Sequence, residues 1–217
     1  MSGVPFDPDC RRCARLTGFL EAVKARHSSY FCRPVPPFGD PDARLLVVGL
    51  APGLHGANAT GRPFTGDFAG ILLYQTLHSF GFASAPRSIS VDDGLKLIRC
   101  RITNAVKCLP PQNKPVGEEI NNCRDFLQHE LDAFGSGGVI VALGAIAHKS
   151  VITGFGLRQK DFIFGHAAEH VMPRGIRLID SYHCSRYNTQ TRRLTPAMFD
   201  RVFARAAQLI ARAGAVA

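Results

Sequence analysis

Four short segments rich in apolar residues stand out in this 217-residue sequence, and the first contains the continuous apolar run LLVV at residues 45–48. Runs of this length, bounded by glycine or polar residues, predict strands that are buried on both faces. The predicted strands span residues 44–50, 100–106, 138–144 and 176–182. Helical patterns separate or flank them at residues 11–26, 67–80, 117–133, 145–152 and 195–213, the last capped by Thr195 and opened by Pro196. This alternation predicts an α/β fold, a three-layer α/β/α sandwich around a four-stranded parallel sheet.

The carboxyl ends of the four predicted strands carry Gly49, Asn104, Gly144 and His183. In open α/β sheets, ligands bind outside the carboxyl ends of the strands. Two of these four ends therefore offer a hydrogen-bonding side chain at the edge where a site is expected.

The loop after the first strand, GLAPGLHGANATGRPFTGD at residues 49–67, contains five glycines. Strand, glycine-rich loop and helix together bring backbone amides close to a ligand. The loop also carries side chains that can bind or react, namely His55, Asn58, Thr60, Arg62, Phe64 and Asp67. The active site is predicted here.

Composition and charge narrow the class of protein. Nearly half of the residues are hydrophobic, yet no apolar run reaches the length of a membrane span, and the first residues lack the apolar core of a signal peptide. We therefore expect one globular unit over residues 1–217, cytoplasmic and without a membrane partner. The net charge of +9 favours a polyanionic partner, nucleic acid above all.

Seven cysteines and no export signal argue against a disulfide framework. Cys10 and Cys13 form a CxxC, and Cys108 and Cys123 flank a later loop, so four thiolates are available for a metal site. Spacing alone does not separate zinc from an iron–sulfur cluster, and buried free thiols are the alternative. Three further cysteines, Cys32, Cys100 and Cys184, are predicted to lie outside the site.

Three segments resemble the family 5 (type b) uracil-DNA glycosylases. They are residues 49–67, ITNAVKCLPPQNKP at residues 102–115, and YHCSRYNTQTRRLTP at residues 182–196. With the CxxC, the resemblance spans nearly the whole chain. It implies a [4Fe–4S] cluster on Cys10, Cys13, Cys108 and Cys123, so iron–sulfur becomes the preferred assignment over zinc. The implied reaction is hydrolysis of the N-glycosidic bond of uracil and other deaminated bases in double- and single-stranded DNA, by a nucleoid-associated monomer.

The resemblance also assigns roles in base recognition, because a glycosylase reads a nucleotide that has been taken out of the stack. Phe64 would stack on the flipped base, with core packing as the alternative. Asn104 would pair with the base edge, or else bond local backbone. His183 would donate a hydrogen bond to the departing base, or else be structural. Backbone around Gly49, Ala51 and Gly53 completes the predicted base-binding set.

Further residues are predicted to contact DNA. Arg186, Tyr187, Asn188, Arg192 and Arg193 follow His183 on a basic loop that would enter the minor groove or contact phosphates, with a solvated loop as the alternative. Three residues of the glycine-rich loop complete the predicted DNA contacts, namely His55, Asn58 and Arg62.

The sequence departs from the superfamily pattern at positions that matter for chemistry. Leu50 and Ala51 stand where other branches carry Asp, Asn or Glu, and neither orients water. Asp67 is the predicted catalytic substitute, with a helix N-cap as its equal alternative. Cys184 and Arg186 occupy positions where the family usually has proline.

Two other functions fit parts of the sequence. The glycine-rich loop resembles an anion cradle, but it lacks both the GKS/T and the compact GxGxxG spacing of nucleotide-binding enzymes. The other hypothesis is a non-catalytic, metal-containing protein that binds damaged DNA. The lack of a carboxylate at residues 50 and 51 favours it.

Overall fold

A computed structural model describes residues 3–214 as a mixed sheet covered by helices. Within this range the sheet has six strands, in the order β1-β3-β2-β4-β6-β5. The strands are β1 Phe38–Gly39, β2 Leu45–Gly49, β3 Cys100–Asn104, β4 Val139–Leu143, β5 Glu169–Val171 and β6 Arg177–Ser181. The four inner strands are the predicted ones, and they pair in parallel.

The predicted four-stranded parallel sheet is therefore incomplete. Two short edge strands, β1 and β5, pair antiparallel with the outermost inner strands. They were missed because they are only two and three residues long and are partly exposed, so they carry no apolar run.

Seven helices lie within the described residues, five of them at the predicted places. They are α1 Ala14–Arg26, α2 Ala57–Thr60, α3 Phe68–Ser79, α4 Gly117–Ala133, α5 Ala145–Gly154, α6 Arg186–Gln190 and α7 Pro196–Gly214. The Thr195 hydroxyl accepts a hydrogen bond from the backbone N–H of Met198 at 3.2 Å, which confirms the predicted cap of α7. No helix in the described part of the chain is long and apolar enough to cross a membrane.

Alternate residues of the inner strands supply two cores. Leu45 and Val47 of β2 face one side, where they pack with residues of α3 and α7. Leu46 and Val48 face the other side, with residues of α4 and α5. This period of two, with apolar residues at every position from Leu45 to Val48, explains the continuous apolar run of β2, and helices pack against both faces of the sheet.

The parallel register aligns the carboxyl ends of the strands at one edge of the sheet. Gly49 at the end of β2 lies opposite Asn104 at the end of β3. On the other side, Leu143 of β4 pairs with Ser181 of β6, two residues before His183. The predicted meeting of Gly49, Asn104 and His183 at this edge is the feature that positions the site.

Candidate active site

A cavity of about 820 Å³ opens at the carboxyl ends of β2, β3 and β6. It is lined by residues of the glycine-rich loop, the end of β3 and the segment after β6. Eight of the predicted site residues are among them, namely Ala51, Gly53, His55, Phe64, Asp67, Asn104, His183 and Arg186. The volume of the cavity lies within the range of roughly 300–1,000 Å³ that is usual for small-molecule sites.

Gly49 allows two functional side chains to meet. A β-carbon at this position would come within 2.3 Å of Asn104 Oδ1 and 2.6 Å of Phe64 Cζ. Gly49 itself does not line the cavity, so its predicted contact with the base is replaced by an indirect role. The absence of a side chain brings the Asn104 amide and the Phe64 ring together over the strand end.

The Asn104 amide is buried but incompletely bonded. Its side chain belongs to a residue that is 4% exposed, and Oδ1 has no hydrogen-bond partner among the described residues. Buried polar atoms of native proteins nearly always form a hydrogen bond, and leaving one without a partner costs about 1–3 kcal/mol. An acceptor left open beside a cavity is suited to a ligand N–H.

Phe64 is held in an unusual conformation next to Asn104. Its backbone has φ of 53°, in the left-handed region that bulky residues avoid. The turn is fixed by close packing, because a β-carbon on Gly70 would lie 1.8 Å from the Phe64 carbonyl oxygen, and Tyr74 donates a hydrogen bond to Pro63 O at 2.8 Å. Backbone strain maintained in this way is a feature of functional sites.

The ring of His183 lies nearly parallel to that of Phe64, with centroids 6.0 Å apart and an interplanar angle of 27°. Asn188 donates from Nδ2 to the backbone carbonyl of His183 at 2.8 Å and so fixes the turn after β6. Burial lowers the pKa of His183 to about 4. The imidazole is therefore neutral at pH 7, with one ring N–H as a donor.

The position of Asp67 is compatible with both roles that the sequence left open. It is the N-cap of α3, where its Oδ1 accepts a hydrogen bond from Gly70 N at 2.9 Å. Its Oδ2 lies against the backbone of Gly53 and Gly56, two glycines of the cavity wall. Burial raises the pKa of this carboxyl, while the amides of the cap act in the opposite direction. Capping thus occupies one oxygen and leaves the other at the cavity.

Two predicted DNA contacts are wrong. Asn58 is fully buried, and its amide donates to the sulfur of Cys32 at 3.5 Å. Arg62 is 5% exposed; it forms an ion pair with Asp93 at 2.7 Å and lies over the ring of Phe38. Both side chains stabilise the protein's own loops, so neither is placed to reach DNA.

The other predicted DNA contacts lie at the surface around the cavity. Tyr187 is 71% exposed at the start of α6, and Arg186 and Arg193 are also exposed. These guanidinium groups pack on Phe68 and Tyr182, respectively. Exposed His55 pairs its Nδ1 with the Tyr30 hydroxyl at 2.8 Å, and half-buried Asn188 supports His183 as described above.

The comparison with known proteins agrees with this geometry. The sequence model of the Uracil DNA glycosylase superfamily matches residues 36–207. The chain belongs to this superfamily. It is 47% identical over 205 residues to a type-5 uracil-DNA glycosylase of Thermus thermophilus, a match that covers 92% of this chain and 93% of that protein. A type-5 enzyme of Pyrobaculum aerophilum is 43% identical, with 92% and 88% covered, and a type-4 enzyme of Archaeoglobus fulgidus is 36% identical, with 68% and 61% covered.

Several residues that line the cavity of this superfamily member were not predicted from the sequence. They include Leu54, Phe68, Asn113 and Ser185. Asn113 lies on an exposed turn with φ of 55°, and Ser185 caps the short helix α6. The PPQN turn and the Ser-x-x-Asn pattern are local turn and cap signals, but neither indicates that the residue faces a cavity.

The four cysteines of the predicted metal site lie together on the α1 side of this superfamily member. Each of Cys10, Cys13, Cys108 and Cys123 is close enough to the other three for their charges to interact. All are free thiols, and burial raises the pKa of Cys123 to about 11. Cys32, Cys100 and Cys184 are buried.

The four cysteine sulfurs lie farther apart than the ligands of a tetrahedral zinc site. Four thiolates about 2.3 Å from one zinc ion lie about 3.8 Å apart. Among residues 3–214, however, only one group of three His, Cys, Asp or Glu side chains has its ligand atoms within 4.8 Å of one another, and this group is His148, His170 and Asp180. The cysteine set therefore has the right chemistry for a metal centre but a wider spacing than zinc requires.

Proposed function

We propose that this protein is a DNA repair glycosylase that hydrolyses the N-glycosidic bond of uracil in DNA and leaves an abasic site. The observation that carries the proposal is the unpartnered Oδ1 of Asn104, buried beside Phe64 and a neutral His183 in one cavity. The superfamily match and the type-5 relatives support the same reaction class.

Recognition of the base follows from the shape and hydrogen-bonding pattern of this corner. Uracil presents an N–H between two carbonyl groups, and Asn104 Oδ1 is an acceptor in need of such a donor. The Phe64 ring provides a face on which a flipped base stacks. The same amide reads other deaminated bases that carry an N–H next to a carbonyl.

Bond cleavage leaves negative charge on the departing base. A neutral His183 donates a hydrogen bond to the base carbonyl on which this charge collects, and burial makes the bond stronger than it would be in water. Because its pKa is about 4, His183 acts at pH 7 as a fixed donor rather than as a source of a full proton.

The opposite side of the glycosidic bond develops positive charge and is attacked by water. Leu50 and Ala51 line the cavity, but neither side chain positions water. Asp67 is the carboxylate of the cavity wall, and its Oδ2, which lies beside Gly53 and Gly56, is suited to orient water or to stabilise the sugar cation. In this scheme the leaving-group side provides most of the rate enhancement.

The remaining contacts hold DNA around the cavity. Arg186 is an exposed cation at the cavity, Arg193 is exposed over the ring of Tyr182, and the net charge of +9 favours phosphate binding. Tyr187 is exposed and aromatic, so it would fill the space that the flipped base leaves.

Cys10, Cys13, Cys108 and Cys123 would hold a [4Fe–4S] cluster. Four mutually close thiols and the resemblance to the family 5 enzymes support this assignment. When bound, the cluster would cross-link the segment before α1 to α4 and the segment after β3, and it would contribute to folding rather than to the reaction.

The proposed function is tested by incubating the protein with double- and single-stranded DNA that contains one uracil, followed by alkaline cleavage at abasic sites. Cleavage at the uracil position is expected with the unaltered protein and strongly reduced with Asn104→Ala. Binding of the uracil DNA without any release of the base would instead establish a non-catalytic damage-binding protein.

A further inference from the structure

A second cavity of about 380 Å³ adjoins the base cavity. The two share Gly66 and Asp67, and the second is bounded on its far side by Ile71, Arg87 and Ile89. Gly66 has φ of 83°, and a β-carbon there would already touch Thr60 Cγ2 at 3.2 Å. At Gly66, therefore, only backbone stands between the two cavities.

The rim of the second cavity combines exposed apolar side chains with an exposed arginine. Ile71 is 60% exposed and Ile89 is 71% exposed, although isolated large aliphatic residues gain from burial. Arg87 is also exposed, and within residues 3–214 no carboxylate lies within ion-pair distance of it. Asp67, the acidic residue that lines both cavities, accepts the helix-capping hydrogen bond from Gly70 N on its Oδ1.

The loop that carries Arg87 and Ile89, residues 84–96, is fixed to the glycine-rich loop by the buried guanidinium of Arg62. Arg62 donates to Asp93 Oδ1 at 2.7 Å, to Ser88 Oγ at 3.0 Å and to the Val91 carbonyl at 2.6 Å. The Ser88 hydroxyl also pairs with Thr65 at 2.7 Å.

Asp93 in turn organises the tip of the loop. Its carboxylate accepts hydrogen bonds from the backbone of Ile89 at 2.7 Å, Ser90 at 3.2 Å and Leu95 at 3.0 Å. Arg62 and Asp93 thus hold the 84–96 loop in one conformation beside the active site, which makes it a preformed surface rather than a solvated connector.

We propose that the second cavity binds the nucleotide that flanks the flipped one on the same strand. Arg87 contacts its phosphate, while Ile71 and Ile89 pack against its sugar and base. The proposal rests on the proposed function. DNA is the occupant because the two cavities share Gly66 and Asp67, so a nucleotide next to the flipped one is within reach of the second cavity.

The test uses single-stranded uracil oligonucleotides that are shortened one nucleotide at a time from either side of the uracil, with binding and single-turnover release both measured. In the unaltered protein, removal of the flanking nucleotide on one side should weaken binding by about tenfold. Arg87→Gln and Ile89→Ser should each weaken binding of the long oligonucleotide and remove most of this dependence. Arg158→Gln, an exposed arginine that lines neither cavity, is the matched control and should behave like the unaltered protein.

Salt dependence identifies the phosphate contact. Loss of one phosphate contact lowers the slope of log K against log salt by about one, so Arg87→Gln should flatten the slope and Ile89→Ser should not. If both variants keep the full shortening penalty and the full salt slope while still releasing uracil, the second cavity does not bind DNA. A protein that releases no uracil from any oligonucleotide would contradict the proposed function instead.

Discussion

At the residue scale, the neutral state of His183 decides how this site would assist bond cleavage. An imidazole with its ordinary pKa of 6.5 would be partly protonated at neutral pH, but burial lowers this pKa to about 4. A neutral ring has one N–H to donate, and its neighbour Phe64 offers an apolar face rather than a counter-charge. In the proposed mechanism, the departing base is therefore stabilised by a preorganised dipole, which needs no reorganisation during the reaction.

This account predicts the titration of His183. By NMR, its ring should remain neutral between pH 8 and pH 5 and become protonated only near pH 4. Because the folded-state pKa lies below the unfolded value, its contribution to stability is complete above about pH 6.5 and is lost as the pH falls towards 4. A midpoint near 6.5 would show that the ring is solvated and would remove the argument for a neutral donor.

Gly49 provides a test of the contact between Asn104 and Phe64. Gly49→Ala places a methyl group 2.3 Å from the Asn104 oxygen and 2.6 Å from the Phe64 ring, so one of the two must move. We expect uracil release to fall by about tenfold or more, since small misplacements of binding groups have large effects on rate. Gly18→Ala, in open space on α1, is the control. Equal single-turnover rates for the two variants would show that the close packing at Gly49 has no catalytic consequence.

At this scale, the positions of two candidate site residues could be predicted from the sequence because both residues follow strand ends. Asn104 and His183 were predicted from the general rule for α/β sheets, and the structure places both in the cavity. Asn58 and Arg62 were predicted wrongly, because a polar residue in a loop gives no local sign of burial. The ion pair between Arg62 and Asp93 joins residues 31 positions apart and is absent from any local pattern.

At the element scale, the start of α3 joins folding to catalysis. Asp67 caps the helix with one oxygen and faces the cavity wall with the other. Strand β2, the loop and α3 therefore form one unit, in which the residue that ends the glycine-rich loop also begins the helix. The same position satisfies the helix amides and supplies a carboxylate to the site.

Asp67→Asn separates these two roles. Asparagine caps helices as well as aspartate does, so the thermal unfolding midpoint should change little. Uracil release should fall by about a hundredfold or more if the carboxylate orients water or stabilises the sugar cation. Calorimetry and single-turnover assays on the same preparations measure both effects. Unchanged catalysis would assign Asp67 to capping alone.

Element prediction was most successful for the buried strands and long helices. The inner strands and the five long helices have apolar patterns strong enough to read directly, and α4 was predicted at its observed bounds. The edge strands β1 and β5 depend on pairing with β3 and β6, which are distant in sequence. Their residues carry no intrinsic strand signal, so only the tertiary structure reveals them.

At the scale of the whole molecule, the cysteine cluster joins distant parts of the chain. Cys10 and Cys13 precede α1, Cys108 follows β3, and Cys123 lies in α4. Apolar side chains of α1 pack with Cys108 and Cys123 in a core of their own, apart from the two cores of the sheet. A cluster held at this point would therefore fix the N-terminal segment to the sheet.

Removal of one ligand tests this assignment. Anaerobically purified Cys108→Ser should lose iron and labile sulfide and unfold at a lower temperature, because metal binding contributes to folding. Cys100→Ala, at a buried cysteine outside the set, should keep the iron and sulfide content of the unaltered protein. Zinc in place of iron in the unaltered protein would overturn the iron–sulfur proposal.

The most direct test of the central claim is the rate of uracil release by His183→Ala under single-turnover conditions, with DNA saturated by excess protein. Loss of one preorganised donor typically slows catalysis by about a hundredfold to a thousandfold. We expect a loss of this size, with the affinity for uracil-containing duplex nearly unchanged, because His183 acts on the departing base rather than on the phosphates. A wild-type rate in this variant would contradict the account and make His183 a structural residue.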